Sequence, residues 1–196
     1  MIHKIILGTY TRRISQGIYQ IELDTATETL NNLQLVTEET SPTYFAKSKE
    51  GFLYSVTSRD GHGGMSSYDP QNKFLNAVTE EGASPCYVAV DEARQLVYGA
   101  NYHKGELNTY KILPDGSLEA AAALFHKEPT GPHKNQDHAH THYTDLAPDQ
   151  RLVVCDLGTD RVYTYDVSEA GEVEEVAVYV AAVSYTHLTL PTILLV

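Results

Sequence analysis

Cysteine is scarce in this chain: its 196 residues hold two, Cys86 and Cys155, each in an apolar, strand-like run and without the paired spacing of a zinc site. The expectation is two reduced, buried thiols of a cytosolic protein, with a disulfide between them left open. Long apolar runs are missing too. The start, "MIHKIILGTY", has only Ile5–Leu7 as an unbroken apolar run, too short for a secretory signal. Nothing approaches the ~20 apolar residues of a membrane-spanning helix. These absences point to a cytoplasmic protein with no membrane partner. Basic residues are outnumbered, 14 Lys and Arg against 26 Asp and Glu, for a formal net charge of −12. Such a chain repels nucleic-acid phosphates and anionic membrane surfaces at long range, which argues against a nucleic-acid partner. An anionic small molecule would need a local cluster of Arg, Lys or His working against that field. Helical periodicity is nearly absent as well.

What is present is a soluble, globular composition, 42% hydrophobic and 20% charged, in a chain long enough for one domain with a sizeable core. Short runs rich in Val, Ile, Tyr and Thr are separated by Gly, Asp, Asn and Pro, the pattern of an all-β protein. The runs repeat. "SPTYFAKSKEGFLYSVT" starts at Ser41, "SPCYVAVDEARQLVYGAN" at Ser84 and "THYTDLAPDQRLVVCDLG" at Thr141. Each has a polar lead-in, an aromatic, a short apolar strand, a charged turn and a second strand. Third strands follow ("GMSSYDP", "GELNTYKI", "DRVYTYDV"), then fourth strands ("KFLNAVTE", "GSLEAAAAL", "GEVEEVAVY"). The N-terminal "ILGTYTRRISQGIYQIELDTATETLNNLQLV" matches the second, third and fourth strands and lacks the first. A unit of about 40–45 residues with four antiparallel strands is a propeller blade. One blade cannot bury both its faces, so blades stack around a channel. The Gly-rich "GHGG" at 61–64 follows no βα pattern and reads as a turn, not a phosphate loop.

The blade count ends near Tyr179, short of the four complete blades a ring normally needs. Residues 183–192, "VSYTHLTLPT", look like the translation of a transposon adapter used in sequencing libraries. The expected division is a partial propeller domain over 1–182 and a non-native tail over 183–196. Tyr185, His187 and Pro191 then carry no functional argument.

The ordered motifs "LGTYT…GIYQIELD", "SPTYFAKSKEGFLY", "VYGANYHKGELNTYKILPDGSL" and "HAHTHYTDLAPDQRLVVCDLGTDRVYTYDV" resemble the seven-bladed propeller lactonase family, typified by bacterial 6-phosphogluconolactonases. The resemblance covers residues 1 to about 180 and implies about half of a seven-bladed ring. It implies hydrolysis of a sugar lactone, 6-phospho-D-glucono-1,5-lactone to 6-phosphogluconate, in the pentose phosphate pathway and without a cofactor. A carboxymuconate cycloisomerase-like reaction is a variant of that activity. The family's usual Pro-His-x-His stretch falls on Ala139-His140-Thr141-His142, with Ala139 in place of Pro. Its Arg-Gln lead-in is partly kept as Asn135-Gln136.

In a strand, alternate side chains share a face, so His138, His140 and His142 would project together if the strand were regular from 138 onward. Same-side residues then stand ~7 Å apart, too far for all three to hold one ion without a bend, and no metal is assigned. With the resemblance, His142 is the leading acid/base candidate and His140 its catalytic neighbour in substrate binding. Arg161 is a candidate to grip a phosphate or the lactone carbonyl, or else a solvated turn residue. Tyr10, Asn101, His138 and Asp156 are candidate substrate contacts, with Asp156 placed either to orient a histidine or simply to form a turn. The competing class is a propeller that binds a metabolite or protein partner without turnover, because fold does not decide function. A half-ring would also expose blade faces, so the 196 residues alone are expected to be inactive.

Overall fold

Turn chemistry and strand patterning agree along the chain, and antiparallel hairpins result. The computed structural model describes residues 1–181; the tail expected at 183–196 lies outside them. A first sheet contains β1 (Ile2–Leu7), β2 (Gly17–Asp24) and β3 (Thr29–Glu38). A second contains β4 (Phe45–Lys47), β5 (Leu53–Arg59), β6 (His62–Tyr68) and β7 (Phe74–Glu81). A third has β8 (Tyr87–Asp91), β9 (Leu96–Asn101), β10 (Glu106–Ile112) and β11 (Leu118–Phe125), and a fourth has β12 (Thr141–Leu146), β13 (Leu152–Asp156), β14 (Arg161–Val167) and β15 (Val173–Val180). Every pairing joins consecutive antiparallel strands. The three fuller repeats are thus four-stranded blades, and the N-terminal repeat has three strands, as its missing first segment implied. No helix among the described residues is long and apolar enough to cross a membrane.

The core lies between blades. Ile18 of the first packs with Leu53 and Tyr68 of the second. Tyr54, Val56 and Met65 of the second pack with Val88, Val97, Tyr110 and Leu118 of the third. Leu96, Tyr98 and Leu107 of the third pack with Leu152, Val154, Tyr163 and Tyr165 of the fourth. Each sheet is amphipathic toward two neighbours, which is why no single blade could fold by itself. The aromatic that recurs in each lead-in has a matching role near the axis. Tyr44 stacks on Tyr87 with centroids 4.2 Å apart, and Tyr87 meets Tyr143 edge-on at 4.7 Å. Contacts of this kind tie successive inner strands together.

"GHGG" is only in part a turn. Asp60 and Gly61, at φ 50 and 82, make the two-residue hairpin between β5 and β6. Gly63 and Gly64 lie inside β6 instead. A Cβ on Gly63 would sit 2.2 Å from the Ser84 nitrogen, and one on Gly64 would sit 2.0 Å from the Val78 carbonyl oxygen. Glycine here permits close backbone approach, including that of the segment leading to β8.

Candidate functional site

The polar lead-ins and the turns between second and third strands converge at one end of the blades, around a cleft of about 580 Å³. The first sheet contributes Tyr10 and Arg12 from the β1–β2 connection, and the second contributes Ser41, Thr43 and Ser58. The segment Ala83–Cys86 and the β9–β10 turn with Tyr102 and His103 come from the third, and His142 from the fourth.

The motif "GTYTR" explains its own wall. Thr9 donates to the Gly17 carbonyl at 2.6 Å and also pairs with the Ser15 hydroxyl. The Thr11 hydroxyl accepts the Ser41 N–H at 3.0 Å. The two threonines tether the connection, and the residues between and after them, Tyr10 and Arg12, reach the cleft. The Arg12 guanidinium lies 4.9 Å from the centre of the Tyr10 ring, a cation–π contact that orients it. Arg12 and His103 escaped the reading of the sequence. Their signal was proximity to motifs already singled out: His103 directly follows Tyr102, and Arg12 lies two residues after Tyr10.

The expected regular strand from residue 138 does not form, because β12 begins at Thr141. The reason is a bond to the neighbouring strand β13. Asp156 accepts the N–H of His140 at 2.8 Å, so that backbone group leaves the strand pairing. Thr141 then pairs with Asp156 and Tyr143 with Cys155, leaving His142 as the extra residue of a β-bulge. A bulge re-aims a side chain, and His142 alone of the three histidines lines the cleft. Burial lowers its pKa below the ordinary 6.5, and no carboxylate opposes that effect. Its imidazole is neutral at pH 7 and able to accept a proton.

His140 is buried behind this wall. Its ring stacks on Tyr102 with centroids 4.2 Å apart, and its Nδ1 bonds to the Tyr102 carbonyl at 2.9 Å. His138 bonds through Nε2 to the His103 carbonyl at 3.0 Å. Both histidines therefore hold the turn that presents Tyr102 and His103, and neither lines the cleft. Asn101 is corrected in the same way. Buried, it donates to the Ala83 carbonyl at 2.7 Å and accepts the Lys104 N–H at 3.2 Å. Arg161 spends its guanidinium on the carbonyls of Thr159 at 2.6 Å and Pro129 at 3.1 Å, away from the cleft.

Asp156 does orient a histidine, but one that the sequence reading did not consider. Its Oδ2 accepts from Nδ1 of buried His126 at 2.6 Å, and the other ring nitrogen of His126 bonds Tyr165 at 3.0 Å. Its Oδ1 also takes the N–H groups of Gly158 at 2.8 Å and Thr159 at 3.1 Å. Burial pushes this carboxyl up, yet the bonds from His126, His140 and Thr159 outweigh burial and hold it below its ordinary value. Gln136, the retained residue of the lead-in, is buried and donates to Leu157 at 2.8 Å and Asp160 at 2.6 Å. Cys86 touches the cleft, but burial pushes its thiol up to about 11, which leaves it a poor nucleophile. Both cysteines are free thiols.

A family model described as "Lactonase, 7-bladed beta-propeller" matches residues 4–186. An uncharacterized protein of Lactococcus lactis subsp. cremoris is 46% identical over 182 residues, covering 91% of this chain and 53% of that protein. A Bacillus subtilis protein named 6-phosphogluconolactonase is 39% identical over 170 residues, covering 83% of this chain and 49% of its own. Among solved structures, a Lactobacillus plantarum protein superposes with a TM-score of 0.87 at 49% identity, over 91% of this chain and 53% of that one. The chain spans about half the length of the curated relatives it matches.

Proposed function

The chain belongs to the seven-bladed β-propeller lactonase family, and we propose that its cleft binds an anionic sugar lactone and opens it by hydrolysis. The proposed reaction converts 6-phospho-D-glucono-1,5-lactone to 6-phosphogluconate. One observation carries this reading. In a chain of net charge −12, the cleft is lined by Arg12, His103 and His142 and by no carboxylate. Among the described residues, Arg12 is the positive charge an anion needs against the global field, and the two imidazoles add ring nitrogens beside it. The similarity to the Bacillus subtilis protein supports the choice of lactone.

In this reading Arg12 pairs with the phosphate, as a guanidinium does well. Neutral His142 takes a proton from water as the water oxygen bonds to the lactone carbonyl carbon. The carbonyl electron pair moves onto oxygen, where a donor from the Tyr102–His103 turn steadies it. Collapse of the tetrahedral adduct breaks the ring C–O bond, and protonated His142 returns its proton to the departing ring oxygen. Tyr10 packs against the sugar beside Arg12. His138 and His140 are positioning residues, and Asn101, Asp156 and Arg161 hold the loops. A cytoplasmic setting fits the two free thiols.

Turnover is proposed for a closed ring. The 196 residues alone are expected to be inactive, and residues 1–180 joined to the remaining length of the Bacillus subtilis relative are expected to hydrolyse the lactone. The assay follows acid release above the spontaneous rate. Saturable binding by the chimera with no turnover would favour a metabolite-binding propeller instead, and full turnover by the 196 residues would refute the need for closure.

A further inference from the structure

We propose that Asp137, His138 and His140 form a binding site for a divalent transition-metal ion of the zinc class at the rim of the cleft. The argument is about hydrogens. His138 Nε2 lies 3.0 Å from the carbonyl oxygen of His103, and His140 Nδ1 lies 2.9 Å from that of Tyr102. A carbonyl only accepts, so these two nitrogens carry the hydrogens. The remaining nitrogens, His138 Nδ1 and His140 Nε2, both face the same oxygen, Asp137 Oδ1, at 3.1 and 3.0 Å.

With neutral rings, two lone pairs and a carboxylate oxygen then point at one another, an arrangement that repels. A metal ion resolves the clash, since it accepts all three lone pairs, and the two rings already stand together with centroids 4.0 Å apart. The donor atoms lie within 4.8 Å of one another, and the separations to Asp137 Oδ1 are a few tenths of an ångström short of the ~3.3 Å expected between tetrahedral ligands each ~2.0–2.1 Å from one ion. Backbone carbonyls that fix the tautomer of a ligating histidine are the usual outer partners of such sites. Two imidazoles and one carboxylate suit zinc and its neighbours better than calcium or magnesium. Three protein ligands leave a fourth position open, and Asp137 is 72% exposed, so an ion can enter from solvent.

The start of β12 at Thr141 makes the site possible. A regular strand would separate the histidines, whereas the loop brings them to one point. An ion there would pin residues 137–140 to the Tyr102–His103 turn. The site does not depend on the lactone reading, and its test needs no turnover.

The test titrates the metal-free full chain with Zn²⁺ by calorimetry and with Co²⁺ by visible absorption. The expected result is one equivalent of each, with Co²⁺ giving ligand-field bands of low coordination number. Asp137→Asn and His138→Gln, both at exposed positions, should each weaken Zn²⁺ by at least about 10-fold. Their metal-free circular dichroism should match the parent, which separates lost ligation from lost folding. His103→Gln should retain the ion, because only its backbone takes part. No saturable Zn²⁺ binding at millimolar metal, or binding that both ligand variants leave unchanged, would overturn the proposal.

Discussion

Replacing His142 by Ala in the closed-ring chimera is expected to lower kcat for lactone opening by about 10²- to 10⁴-fold, the usual worth of a positioned general base. The change in KM should be small, since Arg12 and Tyr10 carry the binding. The geometry sets the expectation. His142 is the bulged residue of β12 and the one histidine of "HAHTH" on the cleft wall. The direction of its pKa shift fixes the pH profile. Burial favours the neutral ring, so the base form persists as pH falls toward 6.5, and the acid limb of kcat/KM should have its midpoint below 6.5. A limb centred at or above 6.5, or a His142→Ala variant with parental kcat, would remove His142 from the chemistry.

Asp156→Ala is expected to be the costliest single change to stability. It strips His126 of a buried partner and leaves the N–H groups of His140, Gly158 and Thr159 without their shared acceptor. Breaking one side of a buried ionisable pair costs about 3–5 kcal/mol, against a total of about 5–15 kcal/mol for a domain. The midpoint of urea unfolding should fall accordingly. The acid side follows from linkage. The carboxyl is lowered in the folded state, so its contribution is present above the ordinary ~3.9 and is lost as pH falls through the depressed value. The parent should therefore lose stability more steeply than Asp156→Asn in that acid window. Equal urea midpoints for parent and Asp156→Ala would contradict the structural role given to this residue.

The blades were legible because strand, turn and lead-in recur together: each of the three quoted lead-ins opens a four-stranded sheet, and Tyr44, Tyr87 and Tyr143 meet as their common position implied. The site was legible only in outline. Strand periodicity tells which residues share a face, but it does not say where a strand begins. The start of β12 is decided by a carboxylate sixteen residues downstream of His140, an interaction of Asp156 that spacing cannot reveal. For the same reason the bulge at His142 and the metal-like convergence of Asp137, His138 and His140 were hidden. Asn101 was read as a ligand contact from its strand–turn position and the resemblance, and Arg161 from its guanidinium, yet both meet backbone carbonyls that only folding brings near. Gly63 and Gly64 look like turn residues for a related reason: small residues mark sharp turns and tight packing alike.

The central claim is that this cleft holds a phosphosugar acid or lactone through Arg12. The most direct measurement is calorimetric titration of the closed-ring chimera with 6-phosphogluconate, the stable product, beside Arg12→Met and Arg13→Met. The account predicts one site, weakened about 10- to 100-fold by Arg12→Met, the worth of a charged hydrogen bond, and unaltered by Arg13→Met, whose neighbour alone lines the cleft. Equal affinity in all three proteins, or equal losses in both variants, would contradict it.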